Sequence, residues 1–170
     1  MNSLTSSDEA LHAFAADVGD TDPIAVEGGG TRWQTGGVLH ESARLVSAPA
    51  GIVDYRPEEM VVTVRAGTRV AELHTVLLEA NQRSALPERG GTVGGAVAVG
   101  ENRLDLQGRG SVRDAVLQVR YVSAEGAVVT CGGPVVKNVS GFNVPKLMVG
   151  SLGTLGLIAE VVLRTNPSPT

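Results

Sequence analysis

The sequence predicts a mixed domain of helices and strands, α/β or α+β, and three observations point there. Glycine is abundant and aromatic residues scarce (22 glycines and 3% aromatic in 170 residues), which describes a globular, loop-rich chain rather than a disordered one. A β-branched run at 60–67 feeds directly into an apolar pattern of helical period. Further on, "AVLQVRYVSAEGAVVTCGG" alternates apolar and polar residues around Glu125-Gly126, the signature of a hairpin. At this length one well-buried core, and so one domain, is expected.

In chain order, Ser6 followed three residues later by Glu9 fits a capping box, which opens a short helix with Leu11, Phe14 and Ala15 on one side. A short strand is expected at Ile24–Val26 and another near Leu45–Ala48, separated by "GGGTRWQTGG". After the strand of 60–67, Val70, Leu73, Val76, Leu77 and Ala80 share one helix face, with Thr68 as the expected N-cap. A second glycine cluster lies in "ALPERGGTVGGAVAVG". Gly132-Gly133-Pro134 ends the hairpin, a third cluster occupies 150–156, and Leu157–Leu163 reads as a strand. The closing "NPSPT" looks like a domain edge.

Several chemistries lack their residues. A net charge of −4 and only two lysines, Lys137 and Lys146, offer no basic patch for nucleic acid. The dinucleotide fingerprint G-x-G-x-x-G fails because Trp33 stands at its last glycine, and no lysine follows a glycine as a P-loop requires. His12, His40 and His74 are far apart and no Cys-x-x-Cys or His-Glu-x-x-His occurs, so no metal site is expected. Ser111 and Ser151 lie beside glycines but outside G-x-S-x-G, so nucleophilic catalysis is not indicated. No stretch is apolar and long enough to span a bilayer. The acidic, unbasic start is not a signal peptide, and with the single Cys131 a cytoplasmic location is expected. Cys131 reads most simply as an apolar filler at a strand end.

The three glycine clusters remain. Holding a glycine in place costs about 0.5–1 kcal/mol relative to alanine, so a run of three has a cost to offset. Successive backbone N–H groups curving around an anion would do so. Clusters converging from three places would line a groove suited to an extended ligand bearing a pyrophosphate, such as an adenine dinucleotide.

The segments "VEGGGTRW", "LPERGGTVGG", "GRGSVRDAVLQVRYVSAEGAVV" and "KNVSGFNVPKLMVGSLGTLGLIAEVVLR" resemble, in order and spacing, the FAD-binding domain of the vanillyl-alcohol oxidase and p-cresol methylhydroxylase type. The last is similar to glycolate oxidase FAD-binding subunits and their D-2-hydroxyacid dehydrogenase relatives. The resemblance covers about 24–164, and it implies an α+β fold of two subdomains with FAD between them, residues 1–170 forming one FAD-binding domain. It places the pyrophosphate on Gly28, Gly29, Gly30, Thr31 and Arg32. Leu86, Pro87, Thr92, Val93, Gly94, Gly95, Val99, Gly100 and Asn102 would follow the flavin and pyrophosphate, joined by Ser111 and Asp114 of "GS-x-R-D". Gly153, Thr154 and Ile158 would lie near the adenosine.

Some members of that family tether the flavin through a histidine in the first loop. Here Thr31 and Arg32 follow the glycines, so non-covalent FAD is implied. Where relatives carry a small-residue run with Ser-Gly, this chain reads "VGENRLDLQG". The family's substrate-binding cap domain is absent from these residues, so no catalytic residue is assigned. Arg89, Arg103 and Arg109 read as surface charges paired with Glu88, Glu101 and Asp105. The resemblance implies an oxidoreductase acting on a small 2-hydroxyacid such as glycolate or D-lactate. The alternative is a non-catalytic FAD-binding subunit or fragment that needs a partner chain, within an oxidase or dehydrogenase complex.

Overall fold

A computed structural model describes residues 3–104, 106–133 and 143–169. The chain opens with helix α1, Ser3–Val18, followed by strand β1, Ile24–Val26. Leu11, Phe14, Ala15 and Val18 of α1 are buried, as the spacing predicts. The capping box is not where the helix starts. Ser6 lies inside α1, because Ser3–Ser7 contains neither glycine nor proline to stop an earlier turn.

Strand β2, Arg44–Val46, pairs in parallel with β1, so the glycine-rich loop between them is the crossover of a small parallel unit. Strands β3 (Ile52–Arg56) and β4 (Val61–Arg65) then form an antiparallel pair. Helix α2, Val70–Glu79, follows, with Leu73 and Leu77 fully buried. Its N-cap is Arg69, not Thr68. Thr68 is buried, and its Oγ1 accepts from Gly51 N at 2.8 Å and donates to Gly51 O at 3.1 Å. A tertiary partner took the hydroxyl that local sequence would have assigned to the helix.

Beyond the two-residue strand β5 (Gln82–Arg83) comes helix α3, Val93–Val99, in the middle of the second glycine cluster. Short helices α4 (Leu106–Arg109) and α5 (Val112–Ala115) lead to the expected hairpin of β6, Val116–Val122, and β7, Val128–Gly132. Helix α6 (Val144–Met148), strand β8 (Leu157–Arg164) and the two-residue β9 (Asn166–Pro167) complete the chain.

The main sheet has the antiparallel order β3-β4-β8-β6-β7, with β8 at its centre and buried on both faces. The larger core lies on one face, where Leu73 and Leu77 of α2, Val93 and Val97 of α3 and Met148 of α6 meet Val62, Val64, Val119 and Val161. On the other face α1 packs with Val46, Val122 and Ala159 in a smaller core. A bulge makes this sharing possible: Arg120 pairs with Glu160 and Tyr121 with Ile158, leaving Ala159 extra. Ile158 and Val161 therefore join the larger core while Ala159 joins the smaller one. The parallel unit with α1 and the antiparallel sheet with its helices are the two parts of an α+β fold.

Candidate functional site

Three glycine-rich segments are brought to one region, and α3 is the element that connects them. The first loop packs against the second. A Cβ on Gly28 would stand 2.6 Å from Thr92 Oγ1, and one on Gly29 would stand 2.5 Å from Gly91 Cα and 3.0 Å from Arg69 Nη1. Only glycine permits that approach. Gly91 is itself fixed by the sheet side of the molecule, its carbonyl accepting from Val70 N at 3.0 Å. Thr92 caps α3 through its side chain, which accepts from Gly95 N at 3.3 Å, while Val93 N and Gly94 N donate to Thr68 O and Ala66 O.

The third segment meets the far end of α3. Gly150 N donates to Val97 O at 3.1 Å and Leu152 N to Ala98 O at 2.9 Å. Gly100 lies against the Gly150 backbone. Thr154 closes its own turn, its hydroxyl donating to Ser151 O at 2.7 Å, and Gly153 takes a positive φ.

Arg32 crosses between the loops. Its Nε donates to Glu101 Oε2 at 3.2 Å, and its Nη1 donates to Gly90 O at 2.9 Å and to Thr31 Oγ1 at 3.1 Å. Its Nη2 is buried and has no partner among the described residues. With Thr31, Thr35, Arg89, Val99 and Glu101 it lines a recess of about 160 Å³. Burial would raise the Glu101 carboxyl, but hydrogen bonds and charge from Arg89 and Arg32 outweigh it and hold that group below its ordinary value.

Other expected residues play supporting parts. The side chains of Leu86, Val93 and Ile158 lie in the core, which leaves only their backbones to face a ligand. Pro87 is buried beside Leu86. Asn102 Oδ1 accepts from Val112 N at 3.0 Å, and Ser111 caps α5, accepting from Asp114 N at 3.0 Å. The Ser111 hydroxyl and Lys146 ammonium, both hydrogen-bonded to Asp114, hold its carboxyl below the ordinary value. Ser111 and Asp114 thus form a brace that fastens α5 to α6. The "KNVSGF" part of the fourth segment lies outside the described residues.

Sequence reading missed α3, Arg69 and the Arg32–Glu101 pair. For α3 the signal was there: Thr92 stands before an apolar run, but Gly94 and Gly95 disguised it as a loop. Arg69 and Glu101 left no local signal.

The arginines expected as surface charges do pair with acids, but of the three only Arg89 is at the surface, 75% exposed, against 23% for Arg103 and 16% for Arg109. Arg103 lies 2.8 Å and Arg109 3.3 Å from Glu88, and Arg89 pairs with Glu101. Asp105 lies outside the described residues. A larger cleft of about 430 Å³ runs along α2, lined by His74, Leu78, Arg83, Arg109 and Ser168, and takes in Glu88 and Gly90 of the second glycine-rich stretch. That cleft is the larger of the two, but the smaller recess is the one lined by Thr31 and Arg32 of the first glycine loop and by Val99 at the end of α3. His12 and His40 are exposed, whereas His74 is half-buried with its Nε2 2.9 Å from Ser84 Oγ. Cys131 is half-buried on β7 against the larger core, and burial pushes its thiol up. Among the described residues no group of three or more His, Cys, Asp or Glu could hold a metal ion, and no helix is long and apolar enough to cross a membrane.

The residues present fit a pyrophosphate-bearing nucleotide. The two glycine loops pack too closely for side chains at Gly28 and Gly29, a Cβ on Gly30 would meet open space, and the buried Arg32 Nη2 and Ser151 Oγ, both without a partner among the described residues, flank the C-terminal end of α3.

Comparison with known proteins agrees. A family model described as an FAD binding domain matches residues 5–132. The chain is 35% identical over 156 residues to glycolate oxidase subunit GlcE of Escherichia coli, covering 89% of this chain and 45% of that protein. It is 30% identical over 149 residues to a D-lactate dehydrogenase of Archaeoglobus fulgidus, covering 85% and 33% respectively. Among solved structures, alkyldihydroxyacetonephosphate synthase superposes with a TM-score of 0.73 at 19% identity, over 98% of this chain and 33% of that one, which establishes a shared fold. The chain spans less than half the length of these relatives.

Proposed function

The chain belongs to the FAD binding domain family, and from that premise we propose that it is the cofactor-binding half of a flavin-dependent oxidoreductase acting on a small 2-hydroxyacid such as glycolate or D-lactate. Bound FAD supplies the hydride acceptor for a CH–OH donor. The chain's own work is to grip and orient. Backbone N–H groups of Gly28, Gly29, Gly30 and Thr31, with the Arg32 guanidinium, take the pyrophosphate. Thr92, Gly94, Gly95, Val99 and Gly100 set the floor along α3. Gly153, Thr154 and the Ile158 backbone take the adenosine half, and the Leu86–Pro87 backbone runs along the flavin. Asn102, Ser111 and Asp114 stiffen the wall behind it.

The observation that carries this reading is the meeting of the Gly29 and Gly91 backbones beneath a buried guanidinium that has one nitrogen left to offer. FAD is held without a covalent bond, since Thr31 and Arg32 follow the glycines and, among the described residues, no histidine lines the recess. Residues 1–170 act as one FAD-binding domain, and residues beyond these 170, on this chain or a partner, complete the substrate pocket. A second reading, a non-catalytic FAD-binding subunit of a larger complex, is favoured by one observation: its relative from Escherichia coli is named as a subunit of glycolate oxidase. A cytoplasmic location fits a chain whose single cysteine can form no internal disulfide.

Incubation with FAD followed by gel filtration is expected to yield protein with flavin absorbance, and acid denaturation is expected to release that flavin to the supernatant. Flavin remaining with the precipitate would refute non-covalent attachment. No detectable affinity would refute FAD binding by these residues.

A further inference from the structure

We propose that Glu101 is a positioning residue for cofactor binding, fixing Arg32 so that the guanidinium's remaining edge meets the FAD pyrophosphate. This rests on the reading of the recess given above.

The guanidinium has five N–H donors in a rigid fork, so fixing two of its nitrogens fixes the third. In this chain Glu101 takes Nε, while Gly90 O and Thr31 Oγ1 take Nη1. Nη2 is left buried, with no acceptor among the described residues, on a side chain that lines a recess of about 160 Å³. The Arg32 side chain is only 9% exposed, so water does not freely satisfy that nitrogen. A buried donor left open is costly, and a phosphate oxygen is the acceptor that would remove the cost with a charge-assisted bond.

Glu101 does more than hold one arginine. Its other oxygen takes Arg89, whose side chain is 75% exposed and reaches over the recess from the solvent side. One carboxylate between two guanidiniums leaves the recess with a net positive charge facing the ligand.

The test is fluorescence titration with FAD, and with riboflavin as a phosphate-free probe, of the wild-type chain and the E101A, E101Q, R32A and R32A/E101A variants. Thermal unfolding of each is followed without flavin. E101A is expected to weaken FAD by about tenfold or more, the loss of one oriented charge-assisted hydrogen bond. E101Q, which keeps an oxygen for Arg32 Nε, is expected to recover most of that affinity. Riboflavin binding should not change, and E101A should add nothing in the R32A background. Tighter or unchanged FAD binding by E101A would overturn the proposal, because the carboxylate would then act only by repelling phosphate. Equal losses for riboflavin, full additivity with R32A, or failure of E101A to fold without flavin would overturn it as well. If the wild-type chain itself bound no FAD, the reading of the recess would fail rather than the role of Glu101 within it.

Discussion

Gly29 and Gly91 meet backbone to backbone, 62 residues apart in sequence, with room for no side chain on the first. The neighbour that a Gly29 side chain would strike is the protein's own main chain, so this contact serves folding and ligand approach together.

Gly29→Val is therefore expected to lower both stability and FAD affinity, the stability by about 1–3 kcal/mol or more from overpacking. Gly30 separates the two effects. It has φ +67° and nothing within 4 Å of a Cβ, so Gly30→Ala carries only backbone strain of about 1–2 kcal/mol. Its FAD affinity is expected to fall by more than that strain, because the loop's N–H groups lose their aim. Urea unfolding beside FAD titration checks both. Unchanged affinity in a folded Gly30→Ala chain would refute backbone gripping by this loop.

Glu160 is 3% exposed at the centre of the main sheet, cross-strand from Arg120 on one side and Arg65 on the other. Arg120 Nη1 lies 3.6 Å from its carboxylate and Nη2 reaches Asp8 on α1. Glu160→Ala would strand buried positive charge and is expected to cost about 3–5 kcal/mol. Asp8 is half-exposed, and Asp8→Ala should cost about 0–1 kcal/mol. Chemical denaturation of the two variants is the check, and equal costs would show that the sheet does not depend on the buried acid.

Burial holds the His74 imidazole below its ordinary value of 6.5; Glu88 opposes this, and Arg109 and Arg103 reinforce it. The folded state takes up this proton less readily than the unfolded chain. Its contribution to stability is therefore present above pH 6.5 and lost as the pH falls below it. His74→Gln is expected to flatten the stability profile just below pH 6.5. Glu101 and Asp114 are depressed carboxylates, whose contributions persist until the pH falls below their ordinary values of 4.5 and 3.8. The two acid limbs should separate in a series of thermal midpoints, and a profile unchanged by His74→Gln would contradict the assignment.

Loaded with FAD, these 170 residues are expected not to oxidise glycolate or D-lactate at an enzymic rate. Orienting the donor carbon against the flavin can supply about 7–11 kcal/mol of a barrier. The arginines that could grip a carboxylate are engaged elsewhere: Arg103 and Arg109 with Glu88, and Arg89 with Glu101. Anaerobic stopped-flow mixing with each hydroxyacid is the measurement. Rapid bleaching of the oxidised flavin band would show a working substrate site within these residues.

What the sequence determined by itself was whatever depends on neighbours along the chain. The period of Leu73 and Leu77 made α2, alternation about Glu125-Gly126 made the β6–β7 hairpin, and the β-rich run of Leu157–Leu163 announced a strand, though not that Glu160 in its middle would be buried. Glycine clusters in a fixed order pointed to a pyrophosphate ligand, because a glycine's lack of Cβ has the same consequence wherever it sits. Tertiary structure alone decided which groups meet. Thr68 turned from helix cap to partner of Gly51, α3 formed across Gly94 and Gly95 because its apolar face had a core to enter, and Glu101 reached Arg32 from 69 residues away. Each of these outcomes rests on contacts between distant segments, whose energy exists only after the sheet has closed. Local spacing carries no trace of them.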